Sequence, residues 1–397
     1  MAYSVTSWFL EQCALKSSTP KRVFTLAGSD YSARVLRWPT ISREWNSIRP
    51  VSLNLALANE DGNLNIFRAS PWLMRGTGLV KIGFTHPSSG DELITMYEGT
   101  LERVKYSGGA CELQFLDKMK EFTERVLGSS DAPLTYTGSN YLPSDIAWWL
   151  CTSYGGKSSV ASTSNPDIDY ASFSAWAAIF SGDAVLVQAN FPGTKLNEAL
   201  KKIGRYTDSG IFVEGGKITF ARFAVTNSLY TNLDSNHIKK LELAMDDTSV
   251  NNKQHVYANY SVGSRYWQID AVSVVSASVN SYGLREFVEK DESVWYVNSA
   301  SAVNLAQRRT SFESSPIEDY MVDTTLVALP RQLGETVYLA DPHLSVLSGT
   351  GWRVMKYDLD LNTGQMKLNV NNARLQQPFT LDDATLGLLD QTYNYLL

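Results

Sequence analysis

Apolar and polar residues alternate with a period of two through much of the first third of the chain. In VSLNLALANEDG, Leu53, Leu55 and Leu57 alternate with smaller or polar residues until Asp61-Gly62 supplies a turn. The segments LVKIGF, ELITMYEG, TLERVKY and ACELQFL follow in quick succession. This pattern predicts short strands with one buried face, packed into a small sandwich or barrel.

Between about residues 117 and 206 the pattern changes to the spacing of helices. In TKLNEALKKIG, Leu196, Ala199, Leu200 and Ile203 recur at the i, i+3, i+4, i+7 positions, and Gly204 supplies a stop. DKMKEFTERVLG and ASFSAWAAIF are also predicted to be helices. The polar loop GGKSSVASTSNPD separates two of these segments.

The segment LPSDIAWWLCTSYGG predicts another helix in this region, with tryptophans on two faces. Pro143 suits the first helical position, and Gly155 suits a left-handed cap. Trp149 falls on the same face as the apolar residues, whereas Trp148 points elsewhere. A helix of this kind is expected to lie between other elements rather than on a surface.

Strands return after residue 206. In SGIFVEGGKITFARF, Gly215-Gly216 predicts a two-residue hairpin turn that places Glu214 opposite Lys217. Further strands are predicted in HVYANYSVG, YWQIDAVSVVSASVN, GETVYLADP, GWRVMKYDLDLN and QMKLNV, with one helix around SASAVNLAQRRTSFE. Residues 371–397 have no clear period and are predicted to form an arm.

The two β-rich parts share the order strand, loop, long strand, turn, strand. Residues 79–116 can be set against residues 336–370 in this way, although their identity is slight. The chain is therefore predicted to be α+β and mainly β, with two related β-barrel-like domains joined by a helix-containing insert. The predicted boundaries are 1–116 for the first β-domain, 117–206 for the insert, 236–370 for the second β-domain and 371–397 for the C-terminal arm.

Composition supports an ordered protein of several domains. The 397 residues exceed what one hydrophobic core usually supports, and 44% apolar with 19% charged residues is typical of globular proteins. The net charge of -6, without a run of Lys and Arg, argues against a protein that grips nucleic acid.

Targeting and cysteine signals are weak. Cys13, Cys111 and Cys151 are odd in number and far apart, so neither a disulfide framework nor a zinc site is expected, and synthesis in a reducing cytoplasm is favoured. No secretory signal and no run of about 18 apolar residues is present, so this chain is not expected to insert into a membrane.

Candidate chemistry is sparse. The four histidines are scattered, and nucleophile elbows, phosphate loops and dinucleotide fingerprints are absent, so no catalytic residue, cofactor or metal site is predicted. Carboxylates do occur in pairs, which leaves glycoside hydrolysis to be weighed. Such pairs are explained more simply as helix caps or as residues on the solvent-exposed face of a strand. The pairs are Asp167/Asp169, Asp246/Asp247, Asp358/Asp360 and Asp382/Asp383.

Several stretches, taken in order, resemble the tail or baseplate hub proteins of tailed bacteriophages. The resemblance rests on the order of weak motifs along nearly the whole chain rather than on any signature residue. Gly334-Glu335 stands where such proteins often carry Gly-Asp, and no lysozyme-like or peptidase-like segment is appended. The stretches are DYSARVL, YEGTLERVKY, CELQFLDKM, LPSDIAWWLCTSYGG, NPDIDYASF, SYGLREF, LGETVYL and GWRVMKYDLDL.

The resemblance implies a fold, an assembly and a set of structural residues. Strands that return after the insert, residues 207–235, would complete the first barrel. The protein would be a homotrimer whose six β-domains form a pseudo-sixfold ring between the tail tube and a central tip or spike. Within this fold the motifs single out five residues as structural: Trp148, Trp149, Gly283, Gly334 and Trp352.

The implied function is structural and not enzymatic. Expected partners are further copies of the chain, a tail tube or distal tail protein, a tip or spike protein and other baseplate proteins, in a virion assembled from protein made in the host cytoplasm. DNA would pass through the ring without sequence-specific binding. Two alternatives stay open: another distal-tail or adaptor protein of the virion, and a carbohydrate-binding or carbohydrate-active β-protein.

Overall fold

The computed structural model describes most of the chain and is built mainly from strands. Strands make up 44% and helices 26%, which confirms the predicted fold class. The described residues are 3, 5–15, 18–45, 47–69, 75–138, 141–182, 186–222, 231–234, 236–339 and 351–371.

The strands are numbered along the chain. They are β1 (Lys21–Leu26), β2 (Ser29–Asp30), β3 (Val35–Arg37), β4 (Thr40–Glu44), β5 (Ser52–Ala58), β6 (Thr77–His86), β7 (Gly90–Ser107), β8 (Ala110–Leu116), β9 (Val126–Leu127), β10 (Leu134–Thr135), β11 (Val187–Phe191), β12 (Thr194–Lys195), β13 (Ser209–Glu214), β14 (Lys217–Arg222), β15 (Thr231–Leu233), β16 (Ile238–Asp246), β17 (Lys253–Ser261), β18 (Tyr266–Val274), β19 (Glu286–Glu289), β20 (Val294–Tyr296), β21 (Ile317–Thr324), β22 (Thr336–Leu339), β23 (Gly351–Asp360) and β24 (Gln365–Asn371).

The helices are numbered in the same way. They are α1 (Ser7–Ala14), α2 (Ile66–Ala69), α3 (Met119–Glu124), α4 (Pro143–Trp149), α5 (Tyr170–Gly182), α6 (Leu196–Tyr206), α7 (Ser276–Tyr282) and α8 (Ser299–Glu313). A π-helical turn, Leu150–Tyr154, continues α4.

Seven strands form the first sheet, in the order β2-β1-β6-β7-β8-β5-β3, with every neighbouring pair antiparallel. The alternation in the sequence decides which face is buried. Leu53, Leu55 and Leu57 of β5 are buried, as are Leu113 and Phe115 on β8. The polar residues between them face away from the core.

The second sheet has the order β15-β22-β23-β24-β21-β16, and β4 from the first part of the chain also pairs with β23. All its pairs are antiparallel except β15 with β22. Apolar residues of both sheets form one continuous core, to which Phe24, Phe115, Val322, Val354 and Leu368 belong.

The two sheets repeat one strand order. The first contains β1-β6-β7-β8-β5-β3 and the second contains β15-β22-β23-β24-β21-β16. When the six strands of each set are numbered from first to last along the chain, both sheets show the same order, 1-4-5-6-3-2. The one difference in direction is that β1 and β6 are antiparallel whereas β15 and β22 are parallel. The likeness between residues 79–116 and 336–370 is thus a repeat of topology.

A third unit combines the predicted insert with part of the predicted second β-domain. Its sheet has the order β10-β11-β20-β17-β18, with β19 beside β17. Helices α3 to α6 and α8 supply residues such as Trp176, Leu200 and Leu305 to a second core, where they meet Val256 and Ala258 of β17. The boundary that assigns all of 236–370 to the second β-domain is therefore wrong, because residues 253–313 pair and pack with the insert.

The hairpin β13–β14 lies between the two cores. Every residue of β13 is buried. Phe212 belongs to the core of the two sheets, whereas Ile211 and Val213 belong to the core of the third unit. Among the described strands, β13 and β14 pair only with each other, and Ile218 of β14 also forms an isolated parallel bridge with Ile168. The prediction that residues 207–235 complete the first barrel is therefore wrong in its strand pairing, and β15 joins the second sheet.

Two other predictions concern the ends of the chain and the membrane. The predicted arm, residues 371–397, lies outside the described residues beyond Asn371, where β24 ends. Among the described helices, none has the length and apolar character needed to cross a bilayer.

Candidate functional site at the junction of the two sheets

Strand β4 links the two sheets and carries a charged residue into the interior. It follows β3 of the first sheet but pairs with β23 of the second, with Ile41 opposite Leu359 and Arg43 opposite Tyr357. Because side chains alternate along a strand, Arg43 shares the buried side of β4 with Ile41. The crossing thus places a guanidinium group at the junction.

The partner of Arg43 comes from the first sheet. Asp117 directly follows β8, and its Oδ2 lies 3.5 Å from Arg43 Nη1. Both side chains are at most 2% exposed. The guanidinium also lies over the ring of Tyr97, 5.5 Å from its centroid. Burial raises the pKa of Asp117, and the nearby positive charge of Arg43 opposes that rise.

The hairpin β13–β14 contributes a second carboxylate to the junction. Glu214 ends β13, and its Oε1 accepts a hydrogen bond of 2.9 Å from the Tyr357 hydroxyl and another from the Tyr3 hydroxyl. Burial raises the pKa of Glu214, whereas Arg43 and the two hydroxyl donors lower it. Burial and the Glu214 charge together hold the pKa of Tyr357 well above its usual value.

Trp45 packs the apolar side of the same junction. It follows β4, and its backbone N–H donates to Met355 O at 2.7 Å. Its ring lies 5.7 Å from that of Phe212. A Cβ atom on Gly210 would lie 2.7 Å from Trp45 Cε2, and one on Gly334 would lie 2.3 Å from Trp45 Cζ3. Glycines on both sides therefore allow the indole to enter.

Sequence reasoning missed the residues of this junction, although signals for two of them exist. Arg43 shares the parity of Ile41 in TISRE, so it must be buried if Ile41 is. Glu214 ends the otherwise apolar strand SGIFVE. No local pattern shows that these residues meet Asp117, because the three lie on separate elements.

Of the predicted structural residues, Gly334 lies beside this junction and Trp352 lies on β23 of the second sheet. The N–H of Gly334 donates to Val354 O at 2.8 Å, and its φ of 80° is a left-handed conformation that favours glycine. Trp352 pairs with Val337 across the second sheet and is 4% exposed. Its ring meets that of Tyr320 edge to face, with centroids 4.5 Å apart.

Gly283 has a separate role in the third unit. It follows α7 with a φ of 74°, and its N–H donates to Val279 O at 2.9 Å, which ends the helix. Its carbonyl accepts a hydrogen bond of 2.7 Å from Asn252 Nδ2. Gly283 therefore closes α7 against the start of β17.

The tryptophan helix α4 lies in the third unit, with its two tryptophans half-buried. Trp148 packs on Phe173 at 4.9 Å between ring centroids, and Trp149 packs on Tyr136 at 5.2 Å. Ile146 of the same helix is fully buried. The predicted left-handed cap falls one residue later, at Gly156, because the π-helical turn lengthens the helix end.

The paired carboxylates are engaged in local structure. Asp169 Oδ1 accepts from Ser172 N at 3.3 Å and so caps α5. Asp167 pairs with Lys118 at 3.2 Å, and Asp247 with Arg285 at 3.3 Å. Asp382/Asp383 lies outside the described residues.

No titratable cluster among the described residues supports metal chemistry. A search of the described His, Cys, Asp and Glu side chains finds no group of three that could hold a metal ion. His255 lies between two acids, with Nδ1 3.0 Å from Asp270 Oδ1 and Nε2 3.3 Å from Glu286 Oε1. The charged residues of the junction, Arg43, Asp117 and Glu214, are buried. Their arrangement can fix segments against each other but offers no open face to a substrate.

Comparisons with known proteins give matches in structure alone. No protein-family model matches the sequence, and no curated protein matches it. The tail protein from Neisseria meningitidis MC58 has 14% identity and a TM-score of 0.57, over 90% of this chain and 97% of that one. The 43 kDa tail protein of prophage MuSo2 from Shewanella oneidensis has 12% identity and a TM-score of 0.53, over 89% and 98%.

A third structure agrees with these two. The prophage tail protein gp18 from Listeria monocytogenes EGD-e has 9% identity and a TM-score of 0.50, over 88% of this chain and 94% of that one. This chain has the fold of prophage tail proteins. The tail-protein fold extends over nearly the whole chain in all three comparisons, so both β-sheets and the third unit belong to it. The resemblance inferred from the sequence is confirmed at the level of fold.

Proposed function

We propose that this protein is a structural hub of a phage tail tip or baseplate. Three copies form a ring in which six β-domains alternate with pseudo-sixfold symmetry. The ring joins the tail tube, or a distal tail protein, to the central tip or spike, and other baseplate proteins surround it. DNA passes through its centre.

The repeated strand order of the two sheets carries this proposal. A chain with two equivalent sheets presents two similar surfaces, so three chains can present six, as a hexameric tube requires. The alternative distal-tail or adaptor protein would not need such a repeat. The tail-protein fold of the three solved structures supports the same role.

The role is structural rather than enzymatic. The buried junction of Arg43, Asp117 and Glu214 fixes the two sheets and the hairpin in one arrangement. The described carboxylate pairs serve caps, turns and ion pairs. Any cleavage of a cell wall is then the task of a partner protein.

The net charge suits a ring around moving DNA. Basic side chains on a lumen would hold phosphates through counterion release, whereas an acidic or neutral lumen lets the strand slide. The chain carries a formal charge of -6. We expect the lumen of the ring to be acidic or neutral.

Light scattering after size-exclusion chromatography tests the assembly. The purified protein is run over a wide range of concentrations, alone and with the tail tube protein of the same phage. We expect a species of three chains, formed alone or on addition of the tube protein. A mass of one chain under every condition, including with the tube protein, would contradict the ring.

A further inference from the structure

A polar cleft lies where the chain crosses from the first sheet to the second. It has a volume of about 650 Å³. Its floor is the face of β5, β7 and β8 that points away from the core, and its wall is the crossing segment of residues 37–40. This cleft is open to solvent, unlike the buried junction described above.

The floor of the cleft consists of hydrogen-bonding groups. Ser52, Asn54 and Gln114 occupy the outward positions of β5 and β8, opposite the leucines that fill the core. Gln114 Nε2 donates to Ser52 Oγ at 3.2 Å, which holds the amide in place. A ligand with hydroxyl groups would find both donors and acceptors here.

The cleft carries a positive charge that the described residues do not neutralise. Lys105 is paired with Glu112 at 3.2 Å. Asp360 lines the cleft together with Arg37, whose positive charge acts on its carboxylate, so these two opposite charges offset each other. Arg103 has no ion pair or hydrogen bond with any described side chain and is exposed on β7. In a protein of net charge -6, this local excess of positive charge favours an anionic ligand.

Trp38 supplies the wall of the cleft. It lies in the crossing segment, is half-buried, and packs partly against the core of the two sheets. An indole held in this way presents a flat apolar surface beside polar groups. The C–H face of a sugar ring stacks on such a surface while the ring hydroxyls bond to neighbouring amides. An apolar peptide, by contrast, would find no pocket for its side chains.

We propose that this cleft binds an acidic saccharide, with one sugar ring stacked on Trp38 and a carboxylate of the sugar bound by Arg103. Ser52, Asn54 and Gln114 bond the hydroxyl groups. The site is formed within one chain and does not depend on the ring proposed above.

Calorimetric titration at low ionic strength tests the site on the full-length protein. The probes are oligogalacturonate, a neutral malto-oligosaccharide of equal length and an acidic peptide, polyglutamate. We expect oligogalacturonate to bind at least about tenfold more tightly than either other probe. The neutral malto-oligosaccharide lacks the carboxylate that Arg103 would bind, and polyglutamate lacks the sugar ring that would stack on Trp38.

Variants locate the binding. Trp38→Leu keeps the apolar packing but removes the ring, and Arg103→Gln removes an exposed charge without touching the core. Each is expected to weaken oligogalacturonate binding about tenfold. Arg125→Gln, which removes an exposed arginine in the third unit, serves as the matched control and should leave binding unchanged.

Three results would overturn the proposal. The first is no detectable binding of oligogalacturonate. The second is equally tight binding of polyglutamate, which would indicate attraction by charge alone. The third is unchanged binding in Arg103→Gln, a substitution that the fold tolerates. Because light scattering measures the ring separately, a failed saccharide test leaves the hub proposal intact, and the reverse also holds.

Discussion

The indole of Trp45 fills the space beside Gly334, where a Cβ atom would lie 2.3 Å from Trp45 Cζ3. Gly334 belongs to the second half of the chain, and Trp45 enters from the first half by way of β4. This contact joins a segment from the first half of the chain to the second sheet. It gives a physical reason for a glycine at a position that the sequence alone only marks as part of a motif.

Gly334→Ala is expected to destabilise the protein by about 2 to 4 kcal/mol, since it combines a left-handed φ with an overlap that Trp45 must relieve. Urea denaturation measures the free energy of unfolding. Gly263→Ala is the matched control, because a Cβ there meets nothing within 4 Å and its φ is not left-handed, so a change within about 0.5 kcal/mol is expected. Equal effects of the two substitutions would show that Trp45 does not constrain Gly334.

Removing the positive charge of Arg43 from the junction should destabilise the folded protein. Arg43→Met leaves the buried carboxylates Asp117 and Glu214 without their cation, so we expect a loss of about 3 to 5 kcal/mol in unfolding free energy. The double variant Arg43→Met/Asp117→Asn removes one of these charges as well and should recover part of the loss. A double-mutant cycle with no coupling energy would mean that the pair does not interact across the junction.

The raised pKa of Glu214 should make the stability of the protein depend on pH. Burial first of all raises its folded-state pKa above the unfolded value, so the folded state holds the proton more tightly. Stability from this group is therefore largest at low pH and falls as the pH rises from the unfolded-state pKa towards the folded one. Tyr3, Tyr357, Arg43 and Glu335 act on the same group.

Glu214→Gln, which resembles the protonated carboxyl, should lack this dependence. The test compares unfolding free energies of the two proteins from about pH 4 to pH 8, a range that starts near the pKa of an unperturbed Glu. The wild type should lose stability relative to Glu214→Gln as the pH rises. A difference that is constant, or that changes in the opposite direction, would contradict the raised pKa.

A fully buried and a half-buried tryptophan of the third unit, Trp176 and Trp149, should differ in their contribution to the free energy of unfolding. Trp176 is 1% exposed and donates from Nε1 to Ser209 Oγ at 2.8 Å, so Trp176→Ala should cost about 3 to 5 kcal/mol. Trp149 is half-buried, and Trp149→Ala should cost about half as much. Both losses are measured by chemical denaturation. An equal loss at the two sites would imply that Trp149 is covered more fully in solution than in the single chain.

Local patterns predicted local structure well. The hairpin at Gly215-Gly216 forms as expected, with Glu214 opposite Lys217, because two adjacent glycines at positive φ define the turn. Helix α8 occupies the predicted segment. The buried face of β5 also follows from alternation alone.

Partners distant in the chain could not be predicted in the same way. The pattern TISRE shows that Arg43 and Ile41 share a face, but not that β4 leaves the first sheet to pair with β23. Residues 253–313 read as part of the second β-domain, yet they pair and pack with the insert around Trp176. Such choices depend on which apolar faces meet, and a single sequence does not specify that.

Negative-stain electron microscopy of the purified protein, with class averaging, tests the central claim most directly. The hub proposal predicts rings with a central hole and threefold symmetry that approaches sixfold, because each chain contributes two sheets of the same strand order. The tail tube protein is added if the chain alone gives no rings. Compact single chains under both conditions would contradict the proposal.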